Sequence, residues 1–422
     1  MLFCACRAAD LLNAFVGLWL VPKYVGTKEL GALMPLTQFA GFLALPVSIF
    51  AMTFMKEMTG LATNGEYGKM KSLMRGVFIG AGVFLIIALA ISKLAMPLFL
   101  ERIRVAEGSL GVLILAAAFT SAIAPVYQNA LQALRRFKTI SILNVIGAPV
   151  RLLAMLVAMP FRALSGYYVG QTAAPIFVIC TSIWSLRKEL SFRAEPYWTR
   201  PIVRQLLHLL IGISAYHLAG GLLGLVEQTI LRQRLPEIES AAYYMTTRLA
   251  DIASFVCATL TTVLFPFTAS LAAEGKPTRQ LAIKASLAML SAGILLACVF
   301  SVAAKPILSA LPNGDQYSDY AWAVPCLIMV TSITAIQIIH TNTEASAGRL
   351  GFLKWWVPLN IIFAAILPLY TGFGYFRDYL PNHICEFIAT HNFTSLGAMI
   401  VWFAVTAIIK TAFSIYELLK QD

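Results

Sequence analysis

Long uninterrupted apolar stretches recur along the whole chain, and each is long enough to cross a hydrocarbon core about 30 Å thick. We predict about twelve such spans from the hydropathy pattern. They lie near residues 1–22, 31–55, 76–98, 109–133, 139–160, 167–186, 206–230, 241–271, 282–304, 319–345, 352–372 and 395–416. Because backbone groups in lipid must bond within their own segment, the spans are predicted to be helices. The predicted fold class is therefore an all-α polytopic membrane protein, since a β-barrel would need short alternating strands.

The charge content excludes two large classes of soluble protein. Only 12% of the 422 residues are charged, whereas a soluble protein carries about 25%. The 32 Lys and Arg residues against 20 Asp and Glu residues give a net charge of +12. These basic residues lie in short clusters between apolar runs, which is typical of loops that orient a membrane protein. A soluble enzyme and a nucleic-acid-binding protein are both excluded.

The loop charges predict the orientation of the chain. About nineteen basic residues lie on one side of the predicted membrane and about nine on the other. The richer set includes Arg136 and Lys410, and the poorer set includes Arg232 and Arg234. The richer side is predicted to be cytoplasmic, so both termini would face the cytoplasm from the inner (plasma) membrane. No basic region precedes the first span, and no cleavable signal peptide is predicted.

The two halves of the chain show a weak internal repeat. When the chain is shifted by about half its length, the stretch that begins at Glu29 aligns with the stretch that begins at Glu239. Each half would have about six helices in the same orientation, and parallel repeats of this kind occur in transporters, with the substrate path at their interface. We predict an N-terminal lobe at 1–186, a cytoplasmic linker at 187–205 and a C-terminal lobe at 206–422.

Three segments of the chain carry a resemblance to a known family. They read LVPKYVGTKELGALMPLTQFAG, NALQALRRFKTISILNVIGAPVRLL and EQTILRQRLPEIESAAYYMTTRLADIASFVCATLTTVLFPFTASLAAEGK. The chain resembles the polysaccharide flippase branch of the multidrug/oligosaccharidyl-lipid/polysaccharide exporter superfamily. The motifs are a glycine-containing turn at Tyr24 to Gly31, and Pro266 followed by Ser270 to Gly275. The resemblance implies alternating access between two lobes and transport of a lipid-linked oligosaccharide.

Charged residues inside the predicted spans are the candidate functional residues, because each costs about 2.5–3.5 kcal/mol on insertion scales. Arginine presents a planar fork that matches phosphate oxygens. The candidates for binding a diphosphate are Arg248, Arg151 and Arg7. A carboxylate in a desolvated cavity can bind a proton or Na⁺. The candidates for ion coupling are Glu227, Asp251 and Asp10. The alternative is that Arg7 with Asp10, and Arg248 with Asp251, form self-neutralised pairs one helical turn apart.

The leading hypothesis is a flippase that moves polyprenyl-diphosphate-linked oligosaccharide for surface polysaccharide biosynthesis, coupled to H⁺ or Na⁺. Its expected partners are this substrate, the coupling ion, membrane lipids and glycan polymerases, with no nucleic acid, cofactor or metal. One rival is a cation-coupled multidrug exporter of the same superfamily, whose path should be lined by acidic and aromatic side chains. Another is a membrane-embedded polymerase or ligase, although residues 373–394 show no arrangement of catalytic groups.

Overall fold

The computed structural model describes residues 12, 14–105, 110–198, 200–251, 253–255, 278–346, 351–370 and 395–419. These residues form helices and turns, with no strand among them. The chain divides into two compact units. Unit 1 is built on Leu33–Gly221, and unit 2 is built on Gly17–Ala32 together with Leu222–Asp422.

The chain enters unit 2 through three short helical turns. A π-helical turn at Val16–Leu20 leads into α1 (Val21–Tyr24), and α2 (Thr27–Leu30) follows. Pro22 occupies the first turn of α1, where its missing N–H costs no hydrogen bond.

Unit 1 is a bundle of long apolar helices. In chain order these are α3 (Leu33–Thr63), α4 (Tyr67–Arg102), α5 (Leu110–Ala133), α6 (Phe137–Ala158), α7 (Ala163–Ser185), the single turn α8 (Arg187–Leu190) and α9 (Arg200–Arg234), whose last part belongs to unit 2. Helices α3, α4 and α5 bury a common core in which Leu73, Ala130 and Leu131 are fully buried.

Among the described residues, unit 2 contains the end of α9 and six further helical segments. They are α10 at 237–251, α11 (Arg279–Ser309), a 3₁₀ helix (Gly314–Tyr320), α12 (Ala323–Ser346), α13 (Leu353–Tyr370) and α14 (Leu396–Leu419). The α14 helix begins with two caps, because the Ser395 hydroxyl accepts the Ala398 N–H and the Glu239 carboxylate accepts the Leu396 N–H at 2.8 Å. A carboxylate is favourable there, since a helix N-terminus carries partial positive charge.

The segment Gly17–Ala32 is held in unit 2 by hydrogen bonds to its backbone. Arg232 donates to the Lys28 carbonyl at 2.8 Å, and Asn313 donates to the Pro22 carbonyl at 3.0 Å. At Gly31 the backbone lies so close to Ser240 that an added Cβ would stand 2.5 Å from the Ser240 hydroxyl oxygen. Peptide groups of α1 and α2 are therefore satisfied by residues more than 200 positions later.

The all-α polytopic fold class is confirmed. Helical residues occur in every predicted span, and eight helices in the described part of the chain are long and apolar enough to cross a membrane. Two positions differ from the expected loop placement. Arg232 is a fully buried residue in the last turn of α9, and Lys410 lies inside the α14 span. Arg232 is accommodated because its guanidinium reaches the Lys28 carbonyl in α2.

Candidate functional site

The structure places four of the six predicted site residues, and divides them between the units. Arg7 and Asp10 lie outside the described residues. Arg151 lies on α6 in unit 1, whereas Glu227 on α9 and the pair Arg248 and Asp251 on α10 belong to unit 2. The candidate site lies within unit 2.

Glu227 is positioned by a tryptophan of the last helix. The indole Nε1–H of Trp402 donates to Glu227 Oε1 at 3.0 Å. Around this bond lies a small apolar cluster of Leu223, Phe363 and Ala364, against which Trp402 also packs. The Trp402 and Phe363 rings meet edge to face, with centroids 5.9 Å apart. A carboxylate among aromatic rings, with an oriented N–H donor, is a site that attracts cations.

A lysine that the sequence assigned to a loop is part of this site. Lys410 lies eight residues after Trp402 on α14, and its ammonium stands 5.3 Å from the Trp356 ring centroid and 5.9 Å from that of Phe363. Glu227 and Lys410 attract each other electrostatically. The only sequence signal for this role is that Lys410 follows an unbroken apolar run, a pattern that equally suits a lysine that reaches the membrane surface.

A buried tyrosine extends the site from α9 to α10. The side-chain amide of Gln228 donates to the Tyr243 hydroxyl at 3.0 Å, and the Tyr243 ring stacks on Phe403 at 5.9 Å. The phenol of Tyr243 interacts electrostatically with both Glu227 and Asp251. Both predicted ion-coupling carboxylates of unit 2 are therefore close enough to Tyr243 for their charges to act on its phenol.

Arg248 and Asp251 form an ion pair along α10. Arg248 Nη1 and Asp251 Oδ2 are 3.1 Å apart, and the side chains are 25% and 34% exposed. The Arg248 guanidinium also lies 5.2 Å from the ring centroid of Tyr244, whose hydroxyl donates to the Gly17 carbonyl. The alternative stated for this pair, mutual neutralisation, is the arrangement observed. The charge of Arg248 is thus partly compensated before any substrate binds.

Arg151 lies where two helices of unit 1 approach closely. Gly170 of α7 faces this point of α6, and an added Cβ there would stand 3.0 Å from the Arg151 carbonyl oxygen. The Arg151 side chain is half-buried. Nothing in unit 1 brings a second predicted site residue to it among the described residues.

A second group of buried polar side chains lies on α12. His340 is 3% exposed and lies 2.9 Å, by its Nε2, from the Ser286 hydroxyl of α11. Glu344, one helical turn later, is also buried. The sequence gives no signal for His340, since a single histidine in an apolar run carries no spacing pattern. Within the described residues, no group of three or more His, Cys, Asp or Glu side chains could hold a metal ion.

No protein-family model matches the sequence, and no curated protein matches it. Solved structures do match. An inward-facing multidrug resistance MATE family transporter of the MOP superfamily is 14% identical, with TM-score 0.70 over 98% of this chain and 95% of that one. The Vibrio cholerae MATE transporter VcmN in its bent form is 15% identical, with TM-score 0.62 over 99% and 94%.

A third match is a MOP superfamily transporter from Pyrococcus furiosus, whose binding pocket has reverse polarity. It is 12% identical, with TM-score 0.60 over 100% of this chain and 94% of that one. The helices of the present chain therefore follow the fold of the solved MATE transporters of the MOP superfamily over nearly their whole length.

Proposed function

We propose that this chain is a multi-pass membrane transporter, not an enzyme, that exports an amphipathic organic cation by alternating access and is coupled to H⁺ or Na⁺. The observation that carries the proposal is the acidic and aromatic cluster of unit 2, centred on the 3.0 Å bond from Trp402 to Glu227. Acidic and aromatic lining is what an organic-cation path requires, because ring faces and carboxylates both attract positive charge. The fold shared with a multidrug resistance MATE family transporter supports a transport function for this chain.

The charges of unit 2 also favour a cation over an anion. Arg248 would be the clamp for a diphosphate, but Asp251 lies 3.1 Å from it. A second anion at this position would have to displace a carboxylate on the same helix. Glu227 and Asp251 are the proposed ion-coupling residues, since one cation that leaves them can balance one that enters.

The proposed export is tested with Glu227→Gln in cells that lack their own organic-cation exporters. Expression of the wild-type chain should lower the accumulation of ethidium, and Glu227→Gln should abolish that effect. Glu237→Gln is the matched control, because Glu237 is exposed at the start of α10. Unchanged export by the Glu227→Gln variant would contradict the role of this carboxylate. Ethidium accumulation that the wild-type chain does not alter would contradict the proposed substrate class.

A second candidate function is the flipping of polyprenyl-diphosphate-linked oligosaccharide across the inner membrane, with glycan polymerases as partners and both termini in the cytoplasm. The observation in its favour is Arg151, a cation within the α6 span of unit 1. Under this hypothesis Arg151, Arg248 and Arg7 bind the diphosphate, and the lobes 1–186 and 206–422 rock about the linker 187–205. Expression in a strain without its native flippase tests it, because restored surface polysaccharide, lost again in Arg151→Ala, would favour this function over cation export.

A further inference from the structure

We infer that Lys410 is a tethered cation that occupies an organic-cation site within unit 2, and that an incoming organic cation must displace its ammonium. The inference rests on the proposed function for the class of ligand. It assigns the site to the faces of Trp356 and Phe363, the Glu227 carboxylate and the side-chain oxygen of Asn360.

Aromatic rings hold the Lys410 ammonium within the span. Lys410 Nζ lies over two rings of α13 at 5.3 and 5.9 Å, so its charge is held by aromatic faces within the span. Aromatic rings that surround an ammonium are the chemistry by which proteins recognise quaternary ammonium ligands. A lysine whose role was to reach the membrane surface would instead extend its ammonium towards water.

A buried hydrogen-bond acceptor lies on α13, the helix that carries the two rings. Asn360 is fully buried, and its Nδ2 donates to the Trp356 carbonyl at 2.7 Å. That bond fixes the orientation of the amide and leaves Oδ1 as an acceptor, which receives no hydrogen bond from the described residues. Trp356, Asn360 and Phe363 are spaced four and three residues apart, so they lie on one face of α13. An acceptor that the described residues leave without a donor, on the helix face that carries both rings, is what a site for a cation requires.

The charges of Glu227 and Lys410 balance each other. The Glu227 carboxylate attracts Lys410 and is bonded to Trp402, whose ring contacts Phe363. A carboxylate in an apolar cluster is costly without a countercharge. Lys410 supplies that charge while the site holds no ligand. Two cations cannot share the site at low dielectric, because their repulsion is only weakly screened there. An entering cation therefore competes directly with Lys410.

The experiment measures binding of tetraphenylphosphonium to the purified full chain. Lys410→Met removes the competing charge while it keeps the length of the side chain. It should bind the probe about tenfold more tightly than the wild type, the order expected of a desolvated cation–aromatic contact. Lys354→Met is the matched control, because Lys354 is exposed on α13 and should leave the affinity unchanged. Glu227→Gln should remove the gain when it is combined with Lys410→Met.

Equal or weaker binding by Lys410→Met, or a gain that persists in the Glu227→Gln background, would overturn the inference. A measurement on the wild type does not depend on whether the variants fold. Acetylation of Lys410, followed by mass spectrometry, should increase severalfold when the probe is added, while acetylation of Lys354 stays constant. No increase at Lys410 would also overturn it.

Failure of the proposed function would look different. If cells do not export organic cations but Lys410→Met binds the probe more tightly than the wild type, the tethered cation stands and the transport proposal does not. If cells export ethidium and Lys410→Met shows no gain, the transport proposal stands and the tethered cation does not.

Discussion

The candidate site of unit 2 contains four charged residues. They form two couples, each of one basic and one acidic side chain. Arg248 and Asp251 neutralise each other within one turn of α10, whereas Glu227 and Lys410 come from different helices. The first couple is local and could form in an isolated helix, but the second requires α9 and α14 to be packed. The second couple is therefore the one that a conformational change could break.

The Arg248–Asp251 couple is expected to contribute little to stability. Both side chains are about a quarter to a third exposed, and partly exposed pairs of this spacing are worth about 0.3–0.5 kcal/mol. A double-mutant cycle with Arg248→Ala and Asp251→Asn, followed by thermal unfolding in detergent, should give a coupling energy below about 1 kcal/mol. A coupling energy of several kcal/mol would indicate that the pair is far more buried in the folded protein than its exposed fractions suggest.

Hydrogen bonds at two places determine where α14 begins and how the linker after α8 lies. The start of α14 is fixed by Glu239 and Ser395. The residues after α8 are fastened to the first turns of α4, where Glu195 N–H donates to the Gly68 carbonyl and Trp198 Nε1–H donates to the Ser72 carbonyl, each at 3.2 Å.

The cap at α14 predicts a measurable loss of stability. Glu239→Gln removes the negative charge at the helix N-terminus and weakens the bond to Leu396 N–H. The free energy of unfolding should fall by about 0.5–2 kcal/mol, the range for capping and helix-dipole contacts. Thermal unfolding monitored by circular dichroism measures it, with the exposed Glu237→Gln as control. Equal melting temperatures for the two variants would contradict this capping role.

The linker contact predicts a change in protease sensitivity. An added Cβ at Gly68 would stand 2.6 Å from the Arg193 carbonyl oxygen, so Gly68→Ala must push the linker away from α4. Gly80→Ala lies on the same helix with no atom within 4 Å of the added Cβ. Trypsin should cleave after Arg193 several times faster in the Gly68 variant than in the wild type or the Gly80 variant, because exposed loops are the preferred sites of nicking. Cleavage at one rate in all three would contradict the contact.

The helical elements were predictable from sequence, whereas the pairing of side chains from different helices was not. A span of about 20 apolar residues has one stable backbone solution in lipid, which is why helix occurs in every predicted span. Arg248 and Asp251 were predictable as a couple because three residues separate them. Nothing local distinguishes Lys410 from a lysine that borders a loop, or links it to Glu227, since their attraction depends on which faces of α9, α13 and α14 meet. Arg232 likewise resembled a loop residue, because its acceptor lies 204 residues earlier.

At the scale of the whole molecule, the chain passes between the two units three times, because Gly17–Ala32 belongs to unit 2 while its neighbours in sequence belong to unit 1. A division of the sequence into two successive halves does not anticipate this exchange. Three of the contacts that hold the segment are hydrogen bonds to its carbonyl groups, and the Thr27 hydroxyl adds side-chain contacts to Gln316 and Tyr317.

In the exchanged segment Gly17–Ala32, an alanine substitution is predicted to lower stability at one glycine and to have little effect at another. Gly31→Ala would place a Cβ 2.5 Å from the Ser240 hydroxyl oxygen and 2.8 Å from its Cβ. It should lower the free energy of unfolding by about 1–3 kcal/mol, the range for overpacking. Gly26→Ala, with no atom within 4 Å of the added Cβ, should be close to neutral. Thermal unfolding of both variants measures this, and the Gly31→Ala,Ser240→Ala double variant should recover part of the loss.

The exchanged segment also sets a delay in biosynthesis. The backbone groups at Lys28, Gly31 and Gly17 leave the ribosome early, but their partners follow 204, 209 and 227 residues later. At 5–20 residues per second, the segment waits about 10 to 45 s for them. During that interval unit 1 can be completed around α3 to α7, while the segment that precedes it stays unpaired. The Gly17–Ala32 segment is thus made before α3 but reaches its final contacts only after α9 and α10 have followed.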